Sequence, residues 1–365
     1  MIVGILAACS SPPPLPPESP ANAPPPATPP AASAAPPGAG SSRWVPVDWS
    51  ELPGFADDDL FEAWNAWIKS CARPGPAFAA LCGDVRRLSI AEPAEQRAWM
   101  VARLRPYRIE AADGRADGLL TAYYEPVIPA ARRPGTGYSV PLYAAPAGLG
   151  TRRPWYTRQQ IETLPEAQAA LRGREIAWLA DPVEAMVLHI QGSGRLRIAE
   201  PDGSVRLVRL AYAGTNDQPY GSIGRWLLDQ GLVRDATWPG IRAWLAANPQ
   251  RVNELMWSNP RYVFFREEPL SPADAAWGPR GAQGVELTPG RSIAVDRNSI
   301  PYGTPVWLAS SGPQVSLQRL VLAQDTGSAI VGAVRADYFA GWGPDAGEIA
   351  GRLKQPLRLW ALWPK

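Results

Sequence analysis

The sequence predicts a mainly β fold with some helices, and three observations carry that expectation. Proline and glycine are abundant, at 42 and 33, while methionine is scarce at 4 and tryptophan reaches 16. Such a mix belongs to sheets and turns more than to a helical bundle. Helical periodicity is confined to short stretches before residue 250, and strand-like runs follow one another from residue 261 to the end. The length of 365 residues suits two ordinary domains or one large one.

The chain opens MIVGILAACSS. An apolar run ending in Leu-Ala-Ala-Cys resembles the lipobox of bacterial lipoproteins, which makes Cys9 the candidate lipidation site. Residues 1–8 contain no Lys or Arg and are short for a full export signal, so a start upstream of Met1 is expected. Ser10 after the cysteine, in place of aspartate, points to the outer membrane. Residues 10–42 hold 13 prolines and a single charge, Glu18. That composition cannot bury enough apolar surface to fold, so residues 9–42 read as a lipid-anchored extended linker.

Within the body, FADDDLFEAWNAWIK (55–69) sets Leu60, Phe61, Trp64 and Trp67 at helical spacing behind an acidic start that suits a helix N-terminus. Cys71 and Cys82 follow; their spacing leaves a disulfide and two buried thiols equally open. Residues 93–106 and 158–172 read as further helices. SIGRWLLDQG stops at Gly231, and WPGIRAWLAAN starts on a proline, giving two more within 222–247. Strand-like runs lie at 118–127, at 185–200 (with His189 in alternation) and at 204–214, the last two joined by the hairpin turn PDG. In the last third the strands are RYVFFRE, RSIAVD, TPVWLAS, LQRLVLAQD, AIVGAVRAD and LRLWALW.

Composition excludes several function classes. A formal net charge of +2 supplies no strong field for nucleic acid. One histidine, His189, rules out a multi-histidine metal centre, and no G-x-S-x-G elbow supports a serine triad. No metal or cofactor is expected, and the chemistry falls to carboxylates, hydroxyls and amides.

Six segments, TAYYEP (121–126), HIQGSGRLRI (189–198), YAGTNDQPYGSIGRWL (212–227), NPRYVFFRE (259–267), AVDRNSIPYGTPVWL (294–308) and QDTGSAIVGAVRADYFAGWGPDAGEIAG (324–351), together resemble the membrane-bound lytic murein transglycosylase A family. The last two form a module named for three aspartates, here Asp296, Asp325 and Asp337. The resemblance spans roughly 43–365 in the family's order, with small-for-small departures at Ala122 and Ser328. It implies a double-psi β-barrel (43–124 and 259–365), an inserted second β-rich domain (125–258), and a groove between them.

It further implies cleavage of the bond between N-acetylmuramic acid and N-acetylglucosamine in peptidoglycan, giving 1,6-anhydromuramoyl ends. One acid serves throughout, because the C6 hydroxyl of the muramoyl ring is the nucleophile. Asp337 matches the family's catalytic aspartate. Its neighbours Tyr338, Phe339 and Trp342 offer apolar surface that would keep a carboxyl group protonated. Asp325 reads as a supporting residue that orients the site or tunes Asp337, and Asp296 as structural; taken without the resemblance, Asp337 and Asp325 also fit ordinary turn-forming aspartates. Thr121, Tyr123, Tyr124, Gln191, Ser193 and Trp342 are the candidate glycan-binding residues, through hydroxyl, amide and ring surfaces; strand alternation or a tight glycine turn would explain several equally well. Rival readings are a noncatalytic wall-binding or tethering lipoprotein, and a two-carboxylate glycosidase pairing Asp337 with Asp325 or Glu125. The expected partners are glycan strands, the outer membrane through the anchor, and other wall enzymes, with the protein on the periplasmic side.

Overall fold

A computed structural model describes residues 42–313 and 315–365. Cys9 and nearly all of the expected linker therefore lie outside the described residues. Ser42 does not belong to the linker: it opens the first strand and pairs with Ala111.

The chain runs β1 (Ser42–Pro46), α1 (Phe61–Ser70), α2 (Cys82–Arg87), α3 (Pro93–Arg103), β2 (Leu104–Ala111) and β3 (Gly118–Glu125). It continues as β4 (Val127–Ala131), β5 (Val140–Tyr143), α4 (Arg158–Thr163), α5 (Pro165–Leu171), β6 (Glu175–Leu179), α6 (Pro182–Gln191), β7 (Gly194–Ala199) and β8 (Val205–Thr215). Then come α7 (Ile223–Asp229), α8 (Trp238–Ala247), α9 (Val252–Trp257) and β9 (Val263–Pro269). The last part holds β10 (Ser292–Val295), β11 (Pro305–Ser311), β12 (Ser316–Asp325), β13 (Arg335–Trp342), α10 (Gly343–Arg352) and β14 (Lys354–Pro364).

These strands form two sheets. One has the order β1-β2-β14-β11-β12-β10-β13-β3, and a further pairing of β14 with β3 closes its last six strands into a ring. This is the expected barrel. The long β14 makes closure possible: residues 354–357 pair with β3, and residues further along pair with β11 and β2. Alternation explains the continuous apolar run in LQRLVLAQ. Val321 and Ala323 face the barrel interior, while Leu320 and Leu322 meet the tryptophans of α1 outside. The second sheet has the order β5-β6-β4-β7-β8-β9.

The crossing between sheets falls at Pro126, between β3 and β4. A residue without an N–H ends a ladder naturally. The return comes later than the expected position 259, because β9 pairs with β8 in the second sheet as far as Pro269. Three local expectations also change. Residues 182–191 are helix, not strand: Asp181 caps the start and Gly192, at φ 78°, the end. His189 is thus a buried helical residue that accepts from Arg158 at 2.9 Å on Nδ1, with its pKa pushed well down by burial. The strand over AIVGAVRAD begins only at Arg335. The acidic triplet precedes α1 rather than opening it, and Asp58 is buried against Arg291 with two contacts of 2.7 Å. Cys71 and Cys82 form a disulfide across α1 and α2.

Candidate active site

The register of the barrel brings the two carboxylates level. Ala294 of β10 pairs with Asp325 of β12 on one side and with Asp337 of β13 on the other, and Asp337 in turn pairs with Thr121 of β3. Twelve residues apart in sequence, the aspartates are two strand spacings apart in space, roughly 10 Å between backbones. β3 supplies the rest of the site through its odd-numbered residues. Thr121, Tyr123 and Glu125 share one face because side chains alternate along a strand.

Each aspartate has its own partners. The Thr121 hydroxyl donates to Asp337 and accepts from Arg335 at 2.9 Å. Asp325 accepts from the Tyr123 hydroxyl at 2.8 Å on one oxygen and from the Ala282 N–H at 2.9 Å on the other. Both carboxyl groups keep some accessible surface yet are crowded by protein on most sides. That burial raises the Asp337 pKa, against the Thr121 hydrogen bond and the Arg335 charge, while the Asp325 charge adds to the rise. Burial likewise raises Asp325, against hydrogen bonds from the Tyr123 hydroxyl and the Thr326 and Ala282 N–H groups. The Tyr123 hydroxyl is pushed well above its ordinary value by burial and by Asp325, so it stays a proton donor to that carboxylate.

The aromatic residues after Asp337 divide between roles. Tyr338 turns into the barrel interior, where Arg319 donates to its hydroxyl at 2.9 Å. Phe339 is fully buried and packs 5.3 Å from the Tyr123 ring. The crowding around Asp337 thus comes from neighbouring strands as much as from the residues that follow it. Trp342 ends β13, half-buried, with the Arg195 guanidinium 4.1 Å from its ring centroid.

The other sequence-predicted residues spread over both sheets. Gln191 lies at the end of α6 and accepts from the Tyr124 N–H at 3.0 Å, which ties the QGSG turn to β3. Ser193 follows the helix-ending Gly192 and is half-buried. The Tyr124 side chain points to the opposite face of β3 from Tyr123, against α10, where a methyl on Gly347 would stand 3.0 Å from its ring. Asp296 spends its oxygens on the backbone N–H groups of Asn298 and Gly332, at 3.0 and 2.9 Å, and so pins the loop between the two site aspartates. Glu125 is fully buried and salt-bridged to Arg195 and Arg209 at 2.8 and 2.6 Å, which removes it as a free acid or base.

Two participants escaped the sequence reading. Arg335 is two residues before Asp337 in a strand, so the alternation rule alone puts it on the same face. Ala282 contributes only its backbone, which no side-chain pattern announces. A separate polar recess of about 400 Å³, lined in part by Arg209, Asp274, Trp277 and Arg280, contains neither aspartate. No cluster of His, Cys, Asp and Glu suited to a metal ion occurs among the described residues.

Known proteins share this architecture. The family model of the MltA specific insert domain matches residues 119–266, and that of the 3D domain matches residues 291–363. The membrane-bound lytic murein transglycosylase A of Vibrio cholerae is 32% identical over 278 residues, covering 72% of this chain and 71% of that protein. Among solved structures, the lytic transglycosylase LtgG of Burkholderia pseudomallei is 45% identical with a TM-score of 0.60, covering 88% of this chain and 96% of its own. MltA from Neisseria gonorrhoeae is 30% identical with a TM-score of 0.74, covering 89% and 94%. With the insert and three-aspartate modules both matched, and two sheets meeting at Pro126, the chain belongs to the membrane-bound lytic murein transglycosylase A family.

Proposed function

We propose that this protein is a lytic transglycosylase of peptidoglycan, with Asp337 as its single acid and base. The observation that carries the reading is a crowded Asp337 with a raised pKa, held by Thr121 on the barrel of a chain whose relatives are named lytic murein transglycosylases. A carboxyl group that retains its proton nearer neutrality can deliver it to the glycosidic oxygen as the muramoyl C1–O bond breaks. The C6 hydroxyl of the same muramoyl ring then closes on C1, and its proton returns to the Asp337 carboxylate. No water is consumed and no protein nucleophile is needed.

Asp325 serves as a neighbour that tunes Asp337. Both its oxygens are engaged, and its charge favours the protonated form of Asp337. Gln191, Ser193, Tyr123, Tyr124 and Trp342 are assigned to the groove, with Tyr124 acting through backbone placement and packing. Residues 42–125 and those after Pro269 are assigned to the barrel domain, and 127–269 to the inserted one. Cys9 is the proposed acyl anchor on the periplasmic side of the outer membrane. The Cys71–Cys82 disulfide fits an oxidising compartment, and no helix among the described residues is long and apolar enough to cross a membrane.

Mass analysis of products from purified sacculi tests the chemistry. Ends lighter by one water than hydrolysed ends are expected, whereas reducing ends would mean a hydrolase. For the anchor, Cys9→Ser in the full-length precursor should move the protein from the membrane fraction to the soluble periplasm; unchanged fractionation would reject lipidation.

A further inference from the structure

Glu125, the last residue of β3, sits with 0% of its surface exposed between two guanidiniums from the second sheet. Arg195 of β7 donates to it through Nε at 2.8 Å, and Arg209 of β8 at 2.6 Å. The remaining donors reach a third part of the chain. Arg195 donates to the carbonyls of Ala275 and Trp277, both at 2.8 Å, and Arg209 donates to that of Trp277 at 2.6 Å. The Arg195 guanidinium carbon sits over the Trp342 ring. The segment it grips continues to Ala282, whose N–H holds Asp325.

One guanidinium therefore ties together the end of β3, the return segment and the ring at the end of β13, although no contact joins it to either aspartate. We propose that Arg195 is a positioning residue for glycan binding: it sets the plane of Trp342 and, through residues 275–282, the seat of Asp325. The inference rests on the reading of Trp342 as a sugar-stacking surface. Arginine suits the task because its planar fork can hold three acceptors in one plane while its face stacks on an aromatic ring. A lysine at this position would keep the charge opposite Glu125, yet would offer neither the fork nor the face. Folding should survive such a change, since Arg209 continues to neutralise Glu125.

The test is a double-mutant cycle on soluble glycan strands with Arg195→Lys, Trp342→Ala and the pair. Arg195→Lys should raise KM about tenfold, the scale of a lost cation–π contact, with kcat within about threefold. The double variant should be no worse in KM than Trp342→Ala alone, because Arg195 acts through that ring. Arg195→Gln, which leaves a neutral Glu125–Arg209 pair, should repeat the result if the lysine variant folds poorly. An unchanged KM in a folded Arg195 variant, with only a lowered melting temperature, would overturn the positioning role. So would KM effects that simply multiply in the double variant. An unchanged KM in Trp342→Ala would instead reject the sugar-stacking reading, and the role of Arg195 with it.

Discussion

Replacing Asp337 with Asn isolates the proton from everything else the side chain does. The amide oxygen can still accept from the Thr121 hydroxyl, and the side chain keeps its volume between β10 and β3. What disappears is the transferable proton and the charge facing Arg335. General acid–base catalysis by one group is worth about 10²–10⁴ in rate, or about 3–5 kcal/mol of barrier at 1.36 kcal/mol per decade. Asp337 acts twice in the proposed cycle, so the loss should lie in the upper part of that range. Stability should move the other way. A folded pKa raised above the ordinary 3.8 means the folded state favours the neutral acid. Its contribution is full below 3.8 and is lost as pH rises through the folded value, so ionised Asp337 weakens the fold at neutral pH. Asn never ionises and escapes that loss. Release of anhydromuramoyl fragments from sacculi, followed with melting temperature at pH 7, should show loss of turnover with an equal or higher melting point. Retention of more than about a tenth of the wild-type rate would refute the assignment of the proton to Asp337.

The other predictions follow from neighbouring contacts. Asp325→Asn can accept from Ala282 on its oxygen and donate from its amide to Tyr123, so activity should stay within about tenfold; near-complete loss would favour a two-carboxylate hydrolase. Thr121→Val removes a hydrogen bond that lowers the Asp337 pKa, and the alkaline limb of the pH–rate profile should move upward; a downward shift would contradict the pairing. Asp58→Ala strands the buried Arg291, for which about 3 kcal/mol of stability should be lost, the low end for a broken buried pair because Asp59 remains 3.2 Å away. Denaturant unfolding measures this, and a loss under about 1 kcal/mol would show that the pair is not structural.

The mainly β class was legible in the sequence because strand and turn patterns are local, while the candidate site residues came from the resemblance of six segments to a known family. Alternation along LQRLVLAQ and RLVRLAYAG marks strands wherever they pair, and Pro239 and Gly231 punctuate helices by backbone chemistry alone. The motif order also singled out Asp325, Asp337, Thr121 and Tyr123. Short apolar runs were less decisive. AMVLHI serves a buried helix as well as a buried strand, and only its packing against α9 and the second sheet settled the matter. The acidic triplet before α1 shows the same limit: Asp58 looks like a helix start until Arg291, 233 residues away, is folded against it. Pairing across such distances is a property of register and topology, and register is set by which strands close the barrel. So the sequence by itself determined which carboxyl, hydroxyl, amide and ring side chains are available. Tertiary structure alone decided that Glu125 is neutralised by two arginines, that Tyr124 faces away from Tyr123's partner, and that the Ala282 backbone holds Asp325. The physical reason is that burial and long-range contacts set a carboxylate's role, and neither is written in its immediate neighbours.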